Sequence, residues 1–101
     1  MRLDPDEVQI ICQSFRKYFA QEDHLWLFGS RVDDTKRGGD IDLYVETTYD
    51  ASHAVSAELD FLVDIKTTLG DQKIDVVLNL ILSDVELPIY KVARKEGIPL
   101  V

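Results

Sequence analysis

A chain of 101 residues and 11.5 kDa has room for one small domain, and 46% hydrophobic with 30% charged residues is the balance of a folded globule. Nineteen acids against eleven bases give a net charge of −8, a field that repels phosphate backbones and disfavours long nucleic acid as a partner. One cysteine, Cys12, excludes an internal disulfide and a zinc site built on several thiolates, and no apolar run of about 18 residues is present to span a membrane.

The amino end carries Asp4, Asp6 and Glu7 and no long apolar core, unlike a secretory signal, so a reducing, cytoplasmic location is expected. Residues 5–20 read as a helix: Val8, Ile11, Cys12, Phe15, Tyr18 and Phe19 recur at three- and four-residue steps, with Asp4 as cap, Pro5 in the first helical position and Glu7 closing a capping box. Cys12 on that stripe reads as a small core side chain. His24–Phe28 reads as a strand ending at Gly29, and residues 31–39 as a loop or short turn. Ile41–Glu46 alternates, with Ile41, Leu43 and Val45 on one face and Asp40, Asp42, Tyr44 and Glu46 on the other. Residues 51–69 form a second helix capped by Asp50 and stopped by Gly70, with Val55, Leu59, Leu62, Val63 and Leu69 expected inward. Lys73–Asn79 is the third strand. A last helix over 88–96, with Ile89, Val92 and Ala93 inward, starts either at a Ser83/Glu86 cap or at Pro88, and Ile98–Val101 adds an edge strand. The order α-β-β-α-β-α, with a terminal strand, implies an α/β (α+β) domain over residues 1–101: a small mixed sheet with helices packed on one face.

Chemistry concentrates at Gly29-Ser30, Asp40-Ile41-Asp42 and Asp75. Asp40 and Asp42 share a face, about 7 Å apart along the strand, and two carboxylates so placed repel unless a cation lies between them. Mg²⁺ is the usual cation for such oxygen ligands, and Asp75 adds a third carboxylate if its strand lies alongside. A glycine at a strand end lets a phosphate approach the backbone, where the serine hydroxyl and N–H groups can hold it. The plain alternatives are a solvated acidic strand start, an outward-facing acid on the third strand, and an ordinary turn followed by a helix cap. Arg31 either balances phosphate charge or neutralises Asp33 and Asp34, and Lys36 and Arg37 read as surface bases.

The string Phe28-Gly29-Ser30-Arg31 … Gly39-Asp40-Ile41-Asp42-Leu43, with the later Asp75 and the tail Ala93-Arg94-Lys95-Glu96-Gly97-Ile98-Pro99-Leu100, resembles the minimal nucleotidyltransferase (MNT) family of the DNA polymerase β-type nucleotidyltransferase superfamily. The likeness covers nearly the whole chain, although nine residues separate Ser30 from Asp40 where ten is more familiar, and Gly39 stands where serine is frequent. It implies a polymerase β-like palm fold, with Gly29, Ser30 and Arg31 at the nucleotide phosphates and Asp40, Asp42 and Asp75 as metal-holding catalytic acids. It also implies transfer of a nucleoside monophosphate, AMP from ATP, to a hydroxyl with release of pyrophosphate. MNT proteins are often paired with HEPN-domain RNase toxins, so an antitoxin that modifies a partner tyrosine is expected.

The short chain leaves nothing for a base-gripping domain, so a partner protein or a second copy is expected to complete the pocket. Two further readings stand beside catalysis. One is a non-catalytic antitoxin whose acidic surface masks a basic HEPN partner. The other is a transferase for a small hydroxylated molecule, disfavoured because no extra helical domain is present. His24 and His53 read as surface or strand-end residues and Trp26 as core.

Overall fold

The computed structural model describes residues 3–29, 41–70 and 72–101. Helix α1 spans Pro5–Tyr18 and begins as its sequence suggests: the Asp4 carboxylate accepts from the Glu7 backbone N–H at 2.9 Å, and the Glu7 side chain accepts from the Asp4 N–H at 3.2 Å. Strand β1 is His24–Phe28, β2 is Ile41–Thr47, and helix α2 is Ala51–Leu69, capped by Asp50 and ended by Gly70 at φ 87°. Strand β3, Ile74–Leu80, starts and ends one residue later than the sequence suggests. A 3₁₀ turn at Ile81–Ser83 then leads to helix α3, Pro88–Glu96, and strand β4, Ile98–Pro99. Helix α3 starts at Pro88, with no side-chain cap on its first turn. The alternative cap, Ser83, spends its hydroxyl on the Leu80 carbonyl.

Among the described residues the sheet has four strands in the order β3-β2-β1-β4, with β1 antiparallel to both neighbours and β2 parallel to β3. The parallel pair requires a crossover, and α2 supplies it. One sheet face carries Leu25, Leu27, Ile41, Leu43, Val45 and Ile74, all buried against α1 and α2. Phe15 and Phe19 stack with centroids 4.8 Å apart, and Phe61 meets both edge-on at 5.9 Å, so three rings fill the space between the helices.

Two inward stripes differ from the sequence reading. Helix α2 buries Ala54, Ala57, Phe61 and Ile65, while Val55, Leu59 and Val63 face outward. The helix is apolar around most of its circumference, and the alanine side lets it lie close to the sheet while Phe61 fills the gap. Helix α3 buries Tyr90 and Ala93, leaving Ile89 and Val92 exposed. It lies on the opposite sheet face from α1 and α2, packed with Tyr44, Trp26, Phe28 and Val77. The helices therefore cover both faces rather than one. The Tyr90 hydroxyl also donates to the Leu78 carbonyl at 3.2 Å, a bond that neither Ile89 nor Val92 could make.

Asp23 is 1% exposed and joins the α1–β1 turn to the end of β2. It accepts from the Ala20 N–H (3.1 Å), the Thr47 hydroxyl (2.7 Å), the Thr48 N–H (2.9 Å) and the Thr48 hydroxyl (3.0 Å). A buried carboxylate is tolerated because its oxygens are met by donors. Cys12 is partly buried, its thiol directed at the Leu100 carbonyl and its pKa raised chiefly by desolvation, as suits a packing residue. Trp26, expected in the core, is half-buried with its ring 5.1 Å from Tyr44.

Candidate functional site

The sheet face under α3 is organised by register into three rows. Phe28 pairs with Asp42 and Asp42 with Asp75; Trp26 pairs with Tyr44 and Tyr44 with Val77; His24 pairs with Glu46 and Glu46 with Asn79. Paired residues in adjacent strands share a face, with strands about 4.8 Å apart. Asp42 and Asp75 are therefore neighbours, each near the amino end of its strand, with Asp75 exposed and Asp42 half-buried. Sequence alone could place each acid on a strand. Only the parallel register places them side by side.

Gly29 closes this row. Its φ of +81° is in the region that glycine adopts without strain, and a Cβ built there would overlap the Asp42 carboxylate oxygen Oδ2. The turn after β1 thus folds its backbone directly against the carboxylate, and only a residue without a side chain fits. Gly29 and Asp42, read as separate motifs in the sequence, touch in the structure. Ser30, Arg31 and Asp40, and with them Lys36 and Arg37, lie outside the described residues. Among the described residues no group of three or more His, Cys, Asp or Glu side chains is arranged to hold a metal ion. The described part of the acidic set is the pair Asp42 and Asp75. As a donor set, two adjacent carboxylates beside an approachable backbone suit a hard divalent cation and a phosphate.

The middle and far rows hold a hydrogen-bond network with no counterpart in the sequence reading. The Arg94 guanidinium reaches from α3 to the Tyr44 hydroxyl (2.9 Å), the Glu46 carboxylate (3.0 Å) and the Glu86 carboxylate (2.6 Å). The Tyr44 hydroxyl donates to Glu46 at 2.7 Å and accepts from the Asn79 amide at 2.9 Å. Arg94, bonded chiefly to Glu86 and then to Glu46 and Tyr44, has its pKa raised further and remains charged. The network fixes α3 across the face that carries Asp42 and Asp75. Its members span residues 44 to 94, so no local spacing reveals it.

Burial, followed by the Glu46 carboxylate, pushes the Tyr44 hydroxyl up to about 12 from an ordinary 10.0, against the lowering effect of the Asn79 and Arg94 bonds. The folded protein thus keeps this proton to a higher pH than the unfolded chain. The stabilisation is complete below pH 10 and is lost as pH rises through about 12. In a phenolate absorbance titration, one tyrosine of the four should ionise near pH 12. Tyr44→Phe should remove that step and flatten the fall in thermal stability over the same window.

His24 stands exposed at the start of β1 with Nδ1 3.3 Å from the Val101 carbonyl oxygen, and His53 stacks on Tyr49 at 3.7 Å. Neither lies in the row of acids. No helix of the described residues is long and apolar enough to cross a membrane. The chain matches no protein-family model and no curated protein.

Proposed function

We propose that the protein is a Mg²⁺-dependent nucleotidyltransferase of the minimal, polymerase β-like type. It moves a nucleoside monophosphate, AMP from ATP, to a hydroxyl, with a tyrosine of a HEPN-domain toxin as acceptor and antitoxin action in the cytoplasm as the outcome. The observation that carries this reading is the row in which Asp42 registers with Asp75 while Gly29 folds against Asp42. Asp42 and Asp75, with Asp40 two residues before Asp42 in sequence, would hold the ion. When bound, Mg²⁺ supplies neutralisation of phosphate charge and a lower pKa for the acceptor hydroxyl. The backbone at Gly29-Ser30 receives the phosphates, and Arg31 balances their charge. A carboxylate, Asp75, takes the acceptor proton. A bond then forms from the acceptor oxygen to the α-phosphorus, and the bond from that phosphorus to the bridging oxygen breaks, releasing pyrophosphate.

A second reading is a binding module that masks a basic HEPN partner without catalysis. It is favoured by the net charge of −8, which steers the chain toward bases. One experiment separates the two. The protein is incubated with α-phosphate-labelled ATP and a co-expressed helical partner, with Mg²⁺ and with EDTA. Covalent label on a partner tyrosine that appears only with the metal is expected. Neutralisation of the partner with no label under any metal condition would sink the catalytic reading and leave masking.

A further inference from the structure

A polar cavity of about 360 Å³ lies at the end of the sheet face away from the row of acids. Glu46 and Asn79, each next to last in its strand, line it, and the segment between β3 and α3 adds Asp84 and Glu86 while α3 adds Arg94. The carboxyl ends of parallel strands are where open sheets with helices on both faces receive ligands. Glu46 stands four residues beyond Asp42, about 13 Å along the strand, so the cavity is separate from the site of Asp42 and Asp75. Asn79 is 5% exposed, and its Nδ2 donates to the Tyr44 hydroxyl at 2.9 Å. That hydroxyl gives its own proton to Glu46 at 2.7 Å, which fixes the carboxamide with its oxygen on the side away from Tyr44. Among the described residues none donates a hydrogen bond to that oxygen. A buried acceptor with no donor is costly, and in a side chain that lines a cavity it points to a donor arriving from that cavity.

The other lining groups define what that donor is. Glu46 and Glu86 each give one carboxylate oxygen to Arg94, at 3.0 and 2.6 Å, and keep the second. Asp84 adds a third carboxylate, and Arg94, with both Nη atoms already bonded, is the only base among the described residues that line the cavity. The surplus of acceptors and of negative charge suits a cation that carries several N–H donors. Among the described residues no three acids are placed to close on a metal ion, whereas N–H groups on a larger cation reach oxygens set further apart. Ile81 and Val85 complete the lining and offer apolar surface to a methylene stem. We propose that this cavity binds an alkylammonium or alkylguanidinium group, carried by a free polyamine or by a lysine or arginine side chain, which donates to Asn79 Oδ1 and to the second oxygens of Glu46 and Glu86. The site does not depend on the nucleotidyltransferase reading.

Spermidine, agmatine and a capped tripeptide with a central arginine, each titrated into nitrogen-15-labelled protein, test the site. The free amines should move the Asn79 carboxamide resonances saturably at roughly millimolar concentration, while tetramethylammonium, a cation with no N–H, should leave them in place. A tripeptide that binds as tightly as agmatine assigns the cavity to a side chain of a partner protein; binding by the free amines alone assigns it to a small molecule. Asp84→Asn combined with Glu86→Gln removes two charges at exposed positions, and asparagine tolerates the φ of 63° at position 84. Circular dichroism should therefore stay unchanged while affinity for agmatine falls by about tenfold. Asn79 resonances unmoved by every amine and by the tripeptide at about 10 mM would overturn the proposal. So would an equal shift with tetramethylammonium, or a double variant that binds agmatine as tightly as wild type.

Discussion

Asp42→Asn is expected to remove nucleotide transfer by about a thousandfold or more, equivalent to roughly 4 kcal/mol of transition-state stabilisation, while the protein stays folded. The carboxamide has nearly the shape of the carboxylate, so Gly29 still fits against it, but the charge that holds a divalent ion is gone. Asp42 and Asp75 stand on adjacent strands in register, and like charges so placed destabilise a sheet. Neutralising one of them removes that repulsion. Activity and stability should therefore separate: transfer of labelled nucleotide collapses, and the thermal midpoint stays within a few degrees of wild type. Retention of more than about a tenth of the activity would show that Asp42 does not hold the metal. A variant that is inactive because it has unfolded would be recognised by its lost circular dichroism, and Asp75→Asn, at an exposed position, then serves as the second test of the pair.

Asp23→Ala is expected to be the most damaging substitution outside the hydrophobic core, at about 3–5 kcal/mol. Its carboxylate satisfies two backbone N–H groups and two threonine hydroxyls in a position 1% exposed. The hydroxyls of Thr47 and Thr48 can turn to other acceptors, but the N–H groups of Ala20 and Thr48 cannot. Each buried donor left unpaired costs about 1–3 kcal/mol. In a domain of this length the loss corresponds to a fall on the order of 15–30 °C in the thermal midpoint. Asp23→Asn keeps one acceptor oxygen and should cost about half as much. A midpoint lowered by only a degree or two in Asp23→Ala would mean that water replaces the carboxylate without penalty.

Local signals in the sequence carry most of the element boundaries. Asp4 with Pro5 and Glu7, Asp50 before α2 and Gly70 after it act through neighbours three or four residues away, and the alternation of Ile41, Leu43 and Val45 states which face of β2 meets α1 and α2. The rotation of α2 was not legible in the same way. Val55-Leu59-Val63 and Ala54-Ala57-Phe61-Ile65 are both apolar stripes at helical spacing, and the choice depends on how closely the helix can approach the sheet. A ranking by hydrophobicity favours the valines and leucine; the geometry favours the alanines. Tyr90 displaces Ile89 from the core for a related reason, because its hydroxyl has a carbonyl to reach. The site was legible as types of residue and not as a place. Asp42 and Asp75 were each recognisable, yet their proximity follows from the β2–β3 register across 33 residues of chain. Asp23 and Arg94 were passed over because most of their partners lie 24 to 50 residues away.

The bond from Tyr90 to Leu78 has a consequence for how the molecule can assemble. The Lys73 carbonyl accepts from the Ile41 N–H, so in β3 the odd-numbered residues turn their backbone groups toward β2 and the even-numbered ones toward the open edge. The Leu78 carbonyl lies on that edge, and the Tyr90 hydroxyl occupies it. At the far side of the sheet, β4 is only two residues long. A side chain of the same molecule thus takes one acceptor on the β3 border, and the opposite border ends in a very short strand, two features that blunt edge-to-edge pairing. Tyr90 thus packs on the sheet with its ring and caps part of the sheet's border with its hydroxyl.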